Sequence, residues 1–362
     1  MKNTFGNSIA VTLFGESHGD MIGAVIDGLA PGIKIDREAI ERKLAERRPA
    51  GKISTARVEA DEYKIVSGEF GGFTTGTPLC ILIENKNKNS SDYGTSLARP
   101  GHADYTAECK YHGYQDYRGG GHFSGRLTAA LVAAGAIVLS ALEKKGIYIG
   151  THISELAGVA DRPFGDLKND IEALKSCDFP VLDKESGEKM KAEILRAAAD
   201  GDSVGGVLEC AVVGLPAGVG EPWFDSAESV ISHAMFSVPG VKGIEFGAGF
   251  CICRMRGSEA NDEFGCENGK TVTKTNNNGG INGGITNGMP IIFRLAVKPT
   301  PSIFKTQKTV NIKTGEEAEL TLSGRHDPAI VHRARAVVDC LTALTVADML
   351  AMRYGTDWLA SK

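Results

Sequence analysis

Apolar residues cluster at 9–14 and again at 21–26, with the polar turn Gly15-Glu16-Ser17-His18-Gly19 between them. That pattern predicts two strands joined by a short, stiff loop. Asp36 is placed to cap a helix running to about residue 48, with Ile40 and Leu44 on its buried face, and Pro49 stops it. Residues 77–84 read as a buried strand. Residues 127–142 form a helical stretch apolar nearly all round, which predicts a helix inside the protein. A second such helix is expected over 328–353, with Asp327 as N-cap and Pro328 at the first position.

The same words return in the second half. The run from Ala24 through Asp27-Gly28 to Gly32 resembles that from Ala211 through Gly214 to Gly218, and Gly71-Gly72-Phe73-Thr74 resembles Gly283-Gly284-Ile285-Thr286. Ser124-Gly125-Arg126 echoes Ser323-Gly324-Arg325, each ahead of a buried helix. Three echoes in one order make a duplication the better reading. The fold class expected is α+β: duplicated αβ halves, about 1–146 and 203–355, forming one domain. All-round apolar helices need cover, so they should pack together between outer antiparallel sheets, a β-α-β sandwich. Residues 153–200 carry two amphipathic helical patterns without an echo and read as an excursion between the halves.

Composition narrows the function. A net charge of −5 and a pI near 6.0, with no basic run, argue against nucleic acid or an anionic membrane as partner. The eight cysteines show no metal-type spacing, so no metal is expected. No signal-peptide design opens the chain and no apolar run reaches membrane-spanning length uninterrupted, which makes the cytoplasm the expected home.

The candidate chemistry is anionic. Arg118-Gly119-Gly120-Gly121-His122-Phe123-Ser124-Gly125-Arg126 runs into a buried helix, bringing close backbone, free N–H groups and an arginine to one spot. Arg47-Arg48 end a helix where cations suit its dipole, and their planar forks also match phosphate or carboxylate. His18 lies in a strand-joining turn, and Arg99-Pro100-Gly101-His102 follows an irregular loop at 85–96. Lys298-Pro299-Thr300-Pro301-Ser302 offers a cation and hydroxyls at a strand's end. Taken singly, each of these also suits a plain structural role. A flavin-free transferase or a binding protein remains open on these residues alone.

Together the motifs resemble a known family. Gly15-Glu16-Ser17-His18-Gly19 with Asp27-Gly28, the stretch 118–126 leading to Ala133-Ala134-Gly135, and Gly324-Arg325-His326-Asp327-Pro328 resemble the three signatures of the chorismate synthase family, with matches from residue 6 to about 353. The resemblance implies loss of phosphate from 5-enolpyruvylshikimate 3-phosphate, reduced FMN as cofactor, and a homotetramer. NADPH or a separate flavin reductase would supply the electrons. It implies His18 as acid at the departing phosphate, His102 beside the flavin, and Asp327 in the proton relay. Arg47, Arg48, Arg99, Ser124 and Arg126 would hold substrate. Arg47, His122, Phe123, Ser124, Gly283, Lys298, Pro299, Thr300, Pro301, Ser302 and Arg325 would contact the cofactor. The sequence departs from the family at Lys52-Ile53, where many members carry an arginine and a nicotinamide contact is therefore not implied. It departs also at His122-Phe123, where some members show Arg-Ser, and at Asp339, where glutamate is usual.

Overall fold

The computed structural model describes residues 2–49, 51–54, 60–86, 96–324 and 326–360. Two five-stranded antiparallel sheets enclose the long helices. The first runs Thr4–Phe5, Ala10–Gly15, Met21–Asp27, Leu79–Glu84, Tyr63–Ser67 from edge to edge. The second runs Val159–Ala160, Tyr148–Leu156, Gly206–Val213, Ile291–Val297, Val241–Phe246; its last four strands follow the order of the last four in the first sheet, while the short edge strand follows its neighbour in the chain instead of preceding it. Alternation puts Val11, Ile22, Ala24, Ile26, Ile81 and Ile83 into the core from the first sheet.

Between the sheets lie the helices Thr128–Lys144 and Val331–Tyr354. The first packs on Met21–Asp27 and Leu79–Glu84, the second on Tyr148–Leu156 and Gly206–Val213, and each packs on the other. The segment Gly125–Lys144 is apolar enough to cross a membrane by composition, yet most of it is buried here. It is a core helix. The closest crossing is at Gly135, where an added Cβ would stand 2.5 Å from both Cβ and O of Cys340.

The two sheets carry turns that match in individual hydrogen bonds. Thr74 Oγ1 donates to Ala30 O at 2.6 Å and accepts from Ile33 N at 2.9 Å; Thr286 Oγ1 donates to Pro216 O at 2.7 Å and accepts from Val219 N at 2.9 Å. The backbone pairs Gly32 N to Thr74 O and Gly218 N to Thr286 O are both 2.8 Å. Gly28 and Gly214 each have a positive φ, and a side chain on either would strike the carbonyl of Ser8 or Gly146.

Two differences from the sequence reading stand out. The first strand of the second sheet, Tyr148–Leu156, precedes the helices Leu167–Leu174 and Lys184–Ala199. The excursion therefore interrupts the second half instead of linking the two. Also, the last long helix starts at Val331 after Ile330, with no side-chain cap. Asp327 is paired with Arg333 of that helix, a stronger partner for a carboxylate than a backbone N–H.

The core also holds two histidines in opposite states. His152 bridges Asp161 at 2.9 Å and Glu209 at 3.1 Å; burial pulls its pKa down, but the two carboxylates outweigh burial and raise it. His332 is driven down to about 3, first by burial and then by Arg333 and Arg335. Its Nε2 lies 2.8 Å from Ser54 Oγ.

Two outcomes are expected. Gly135→Ala should cost about 2–3 kcal/mol in denaturant unfolding, because neither helix backbone can yield to the new methyl; a cost under about 0.5 kcal/mol would contradict the close crossing. As pH falls from 6.5 towards 3, the unfolded chain takes up the His332 proton before the folded chain does. That steepens the acid loss of stability by up to about 1.4 kcal/mol per pH unit. His332→Gln should flatten the slope between about pH 6.5 and pH 4.5, and parallel slopes would reject the assignment.

Candidate active site

Both central helices begin at the edge of one cavity of about 750 Å³, which lies where the halves meet. From the first half it receives Arg47, His102, Gly119, Phe123, Ser124 and Arg126, and from the second Lys298 to Ser302, Asp327 and Arg333.

The glycine loop separates the two histidines, with His102 on the cavity wall and His18 behind the loop, off that wall. Gly119, Gly120 and Gly121 all have positive φ, which residues with a side chain rarely adopt. A Cβ on Gly119 would lie 2.6 Å from His18 Nε2, and one on Gly120 would lie 3.3 Å from His102 Cε1. The bare backbone thus sits between two imidazoles. His18 is buried, 4% exposed, behind Gly119 rather than at the surface of its turn. The loop is stitched to that turn by Ser17 N to Gly121 O at 3.0 Å and by His122 Nδ1 at 2.8 Å from Gly15 O. His122 therefore braces the loop and does not line the cavity.

His102 is oriented by its neighbours. Nδ1 lies 2.9 Å from Asp104 Oδ1 and 3.0 Å from Arg99 Nη2. A guanidinium cannot accept, so the two contacts ask opposite things of Nδ1. The carboxylate decides it: Nδ1 carries the proton and donates to Asp104, leaving Nε2 as the acceptor. Arg99 grips Asp104 through Nε at 2.8 Å and Nη2 at 2.7 Å. Burial would raise the Asp104 carboxyl, but the bonds from Arg99 and His102 hold it well below the usual range. Arg99 faces an adjoining recess of about 400 Å³ that shares His102 and Phe123 with the main cavity.

Arginines make the cavity cationic. Arg47 and Arg126 are nearly buried and share the carboxylate of Asp61, with Arg47 Nη1 at 3.2 Å. Arg48 is a third of the way exposed, 3.8 Å from the same carboxylate, and is not on the cavity wall. Arg333 pairs with Asp327 and also donates from Nε to Arg47 O at 2.9 Å, joining the two halves. At the other end Lys298 reaches Gly101 O, and burial and then Lys242 lower its pKa. Ser124 caps the turn ahead of the helix, accepting from Arg126 N at 3.3 Å. Gly283 stands off this cavity, and a Cβ added to it would meet nothing within 4 Å. Arg325 and the side chain of Lys52 lie outside the described residues.

Sequence reasoning missed Asp61, Arg333, Lys242 and the wall segment at 236–241, and it did not give Asp104 its orienting task. Asp104 sits two residues after a candidate histidine, a signal that was available. The others come together only through the fold.

A family model described as chorismate synthase matches residues 9–351. Proteins named chorismate synthase are 48% identical in Pyrococcus abyssi, over 96% of this chain and 97% of theirs, and 46% identical in Dehalococcoides mccartyi, over 98% of both. A crystal structure of chorismate synthase superposes with a TM-score of 0.75 at 28% identity, covering 97% of this chain and 94% of that one.

Asp104→Asn is expected to release the His102 tautomer. Nitrogen chemical shifts should change from a single Nδ1–H form to a mixture, with the fold unaltered. An unchanged spectrum would mean that Asp104 does not set the proton's position.

Proposed function

The chain belongs to the chorismate synthase family, lyases of aromatic amino-acid biosynthesis, and on that footing we propose that its cavity eliminates phosphate from 5-enolpyruvylshikimate 3-phosphate to give chorismate in the shikimate pathway, with reduced FMN bound beside the substrate. The observation that carries this reading is the meeting, in one cavity, of His102, Arg47, Arg126, Asp327 and the hydroxyl-bearing 298–302 segment from opposite halves.

The cavity suits both molecules. Its volume of about 750 Å³ is ample for two small ligands. Phe123, Val238, Pro239 and Val337 provide apolar wall for a flat ring. On the cavity wall, Thr300 Oγ1 is buried with no partner among the described residues, which favours a ligand that bonds to it. Phe123, Ser124, the 298–302 segment and Arg47 would hold the flavin, with His122 bracing the loop and Arg325 completing the set by resemblance; Gly283, off this cavity, is left out of it.

In the reaction a ring C–H bond and the C–O bond to phosphate break, a double bond forms, and no net oxidation occurs. When bound, reduced FMN supplies electron density to the allylic system and a nitrogen that collects the hydrogen. The chain's task is charge and protons. Arg47 and Arg126 neutralise the departing phosphate and the carboxylates, with Arg48 adding charge from behind the wall, which lowers the barrier to leaving. His18, behind Gly119, donates a proton to that phosphate. His102, fixed by Asp104, would offer Nε2 to the cofactor, and Arg99 secures the pair. Asp327, steadied by Arg333, passes on the ring proton. A homotetramer in the cytoplasm, with electrons from NADPH or a separate flavin reductase, completes the reading.

The expected result is anaerobic phosphate release with reduced FMN and none with oxidised FMN or without flavin; equal release under all three conditions would reject the flavin. His18→Ala and His102→Ala should each lower turnover by about 10²- to 10⁴-fold with the fold retained. Full turnover in either variant would remove that histidine from the mechanism.

A further inference from the structure

Asp61 lies off the cavity wall, yet it touches the cations that matter most. Its side chain has no exposure, and one carboxylate serves Arg126 through Oδ1 and Arg47 through Oδ2, with Arg48 Nε 3.8 Å from Oδ2. The other edges of the two buried guanidiniums are tied as well. Arg47 donates to Thr128 Oγ1 at 2.9 Å and Gly125 O at 3.1 Å, and Arg126 to Asn85 Oδ1 at 3.0 Å. The Asp61 backbone has φ +50, a left-handed conformation that aspartate tolerates better than most residues.

Three guanidiniums packed without a counter-ion would repel and spread. One buried carboxylate prevents that, and it leaves a net charge near +2, the magnitude of a phosphate dianion. We propose that Asp61 is a positioning residue for phosphate recognition: it holds Arg47 and Arg126 at a fixed separation and trims the charge of the cluster, Arg48 included, to match one phosphate group. This rests on the reading that these arginines receive the substrate's anionic groups.

The test is calorimetric titration of the full-length protein with inorganic phosphate, alongside steady-state kinetics. Asp61→Asn keeps shape and removes charge. It should weaken phosphate binding about tenfold or more and raise KM for the enolpyruvyl substrate similarly, with a smaller change in kcat. Asp61→Glu keeps the charge but shifts it by one methylene, and it should fall between the two. In an Arg126→Gln background, Asp61→Asn should cost little further, because its effect passes through that arginine. Glu62→Gln, at an exposed carboxylate paired with Lys86, should change nothing.

Wild-type phosphate affinity in a folded Asp61→Asn, or an equal loss with and without Arg126, overturns the proposal. So does failure of both Asp61 variants to fold, which would make the residue one of stability only. Phosphate titration needs no flavin and no turnover. A wild-type protein that binds phosphate but releases none from the enolpyruvyl substrate would therefore defeat the functional reading and leave this one standing.

Discussion

Two helices with almost no polar face must be hidden from water, and each can be hidden only by the other together with a sheet. Fourteen consecutive residues of Thr128–Lys144, from Ala129 to Leu142, are buried, and an amphipathic alternative is not open to such a sequence. The contact is tight enough that Gly135 must lack a side chain opposite Cys340. With the axis of the molecule fixed by that crossing, each sheet has one place to go, on the outer face of its own helix. The polar residues of Val331–Tyr354 find internal partners: Asp339 meets Lys43 at 2.8 Å, and Asp348 accepts the backbone N–H groups of Asn7, Ser8 and Ile9. The second helix is thereby clamped to the first half, where Arg47 ends the helix that carries Lys43.

The cavity follows from the same arrangement. The starts of the two long helices both line it, bringing Arg126 from one and Arg333 from the other. The glycine loop is the first half's contribution, allowing histidines to approach closely. The Asp327–Arg333 pair is the second half's. Lys298 reaching across to Gly101 closes the far end and holds the segment that bears His102. Neither half has a site alone.

Much of this was legible in the chain. Hydrophobic pattern gave the strands near residues 9–14 and 21–26, and Asp36 caps its helix by accepting from Ala39 N, as its side chain implied. Repeated words marked turns that fold alike, since Thr74 and Thr286 make the same hydrogen bonds beside Gly32 and Gly218. What escaped reading was of another kind. Asp61 is remote in sequence from Arg126, and nothing local distinguishes it from a solvated acid. Asp327 has a cap's spacing, but Arg333, in the first turn of the helix, competes for it more strongly. The interruption of the second sheet was hidden because a strand looks alike whether its partner follows at once or after two inserted helices.

The order of synthesis adds a demand that the finished fold conceals. The helix Thr128–Lys144 leaves the ribosome about 190 residues before Val331–Tyr354 ends the wait. At roughly 5–20 residues per second, its uncovered side stays greasy and available for about 10–40 s. The nascent chain is therefore a strong client for a chaperone that shields apolar surface, and a translational pause within the inserted helices would prolong that exposure.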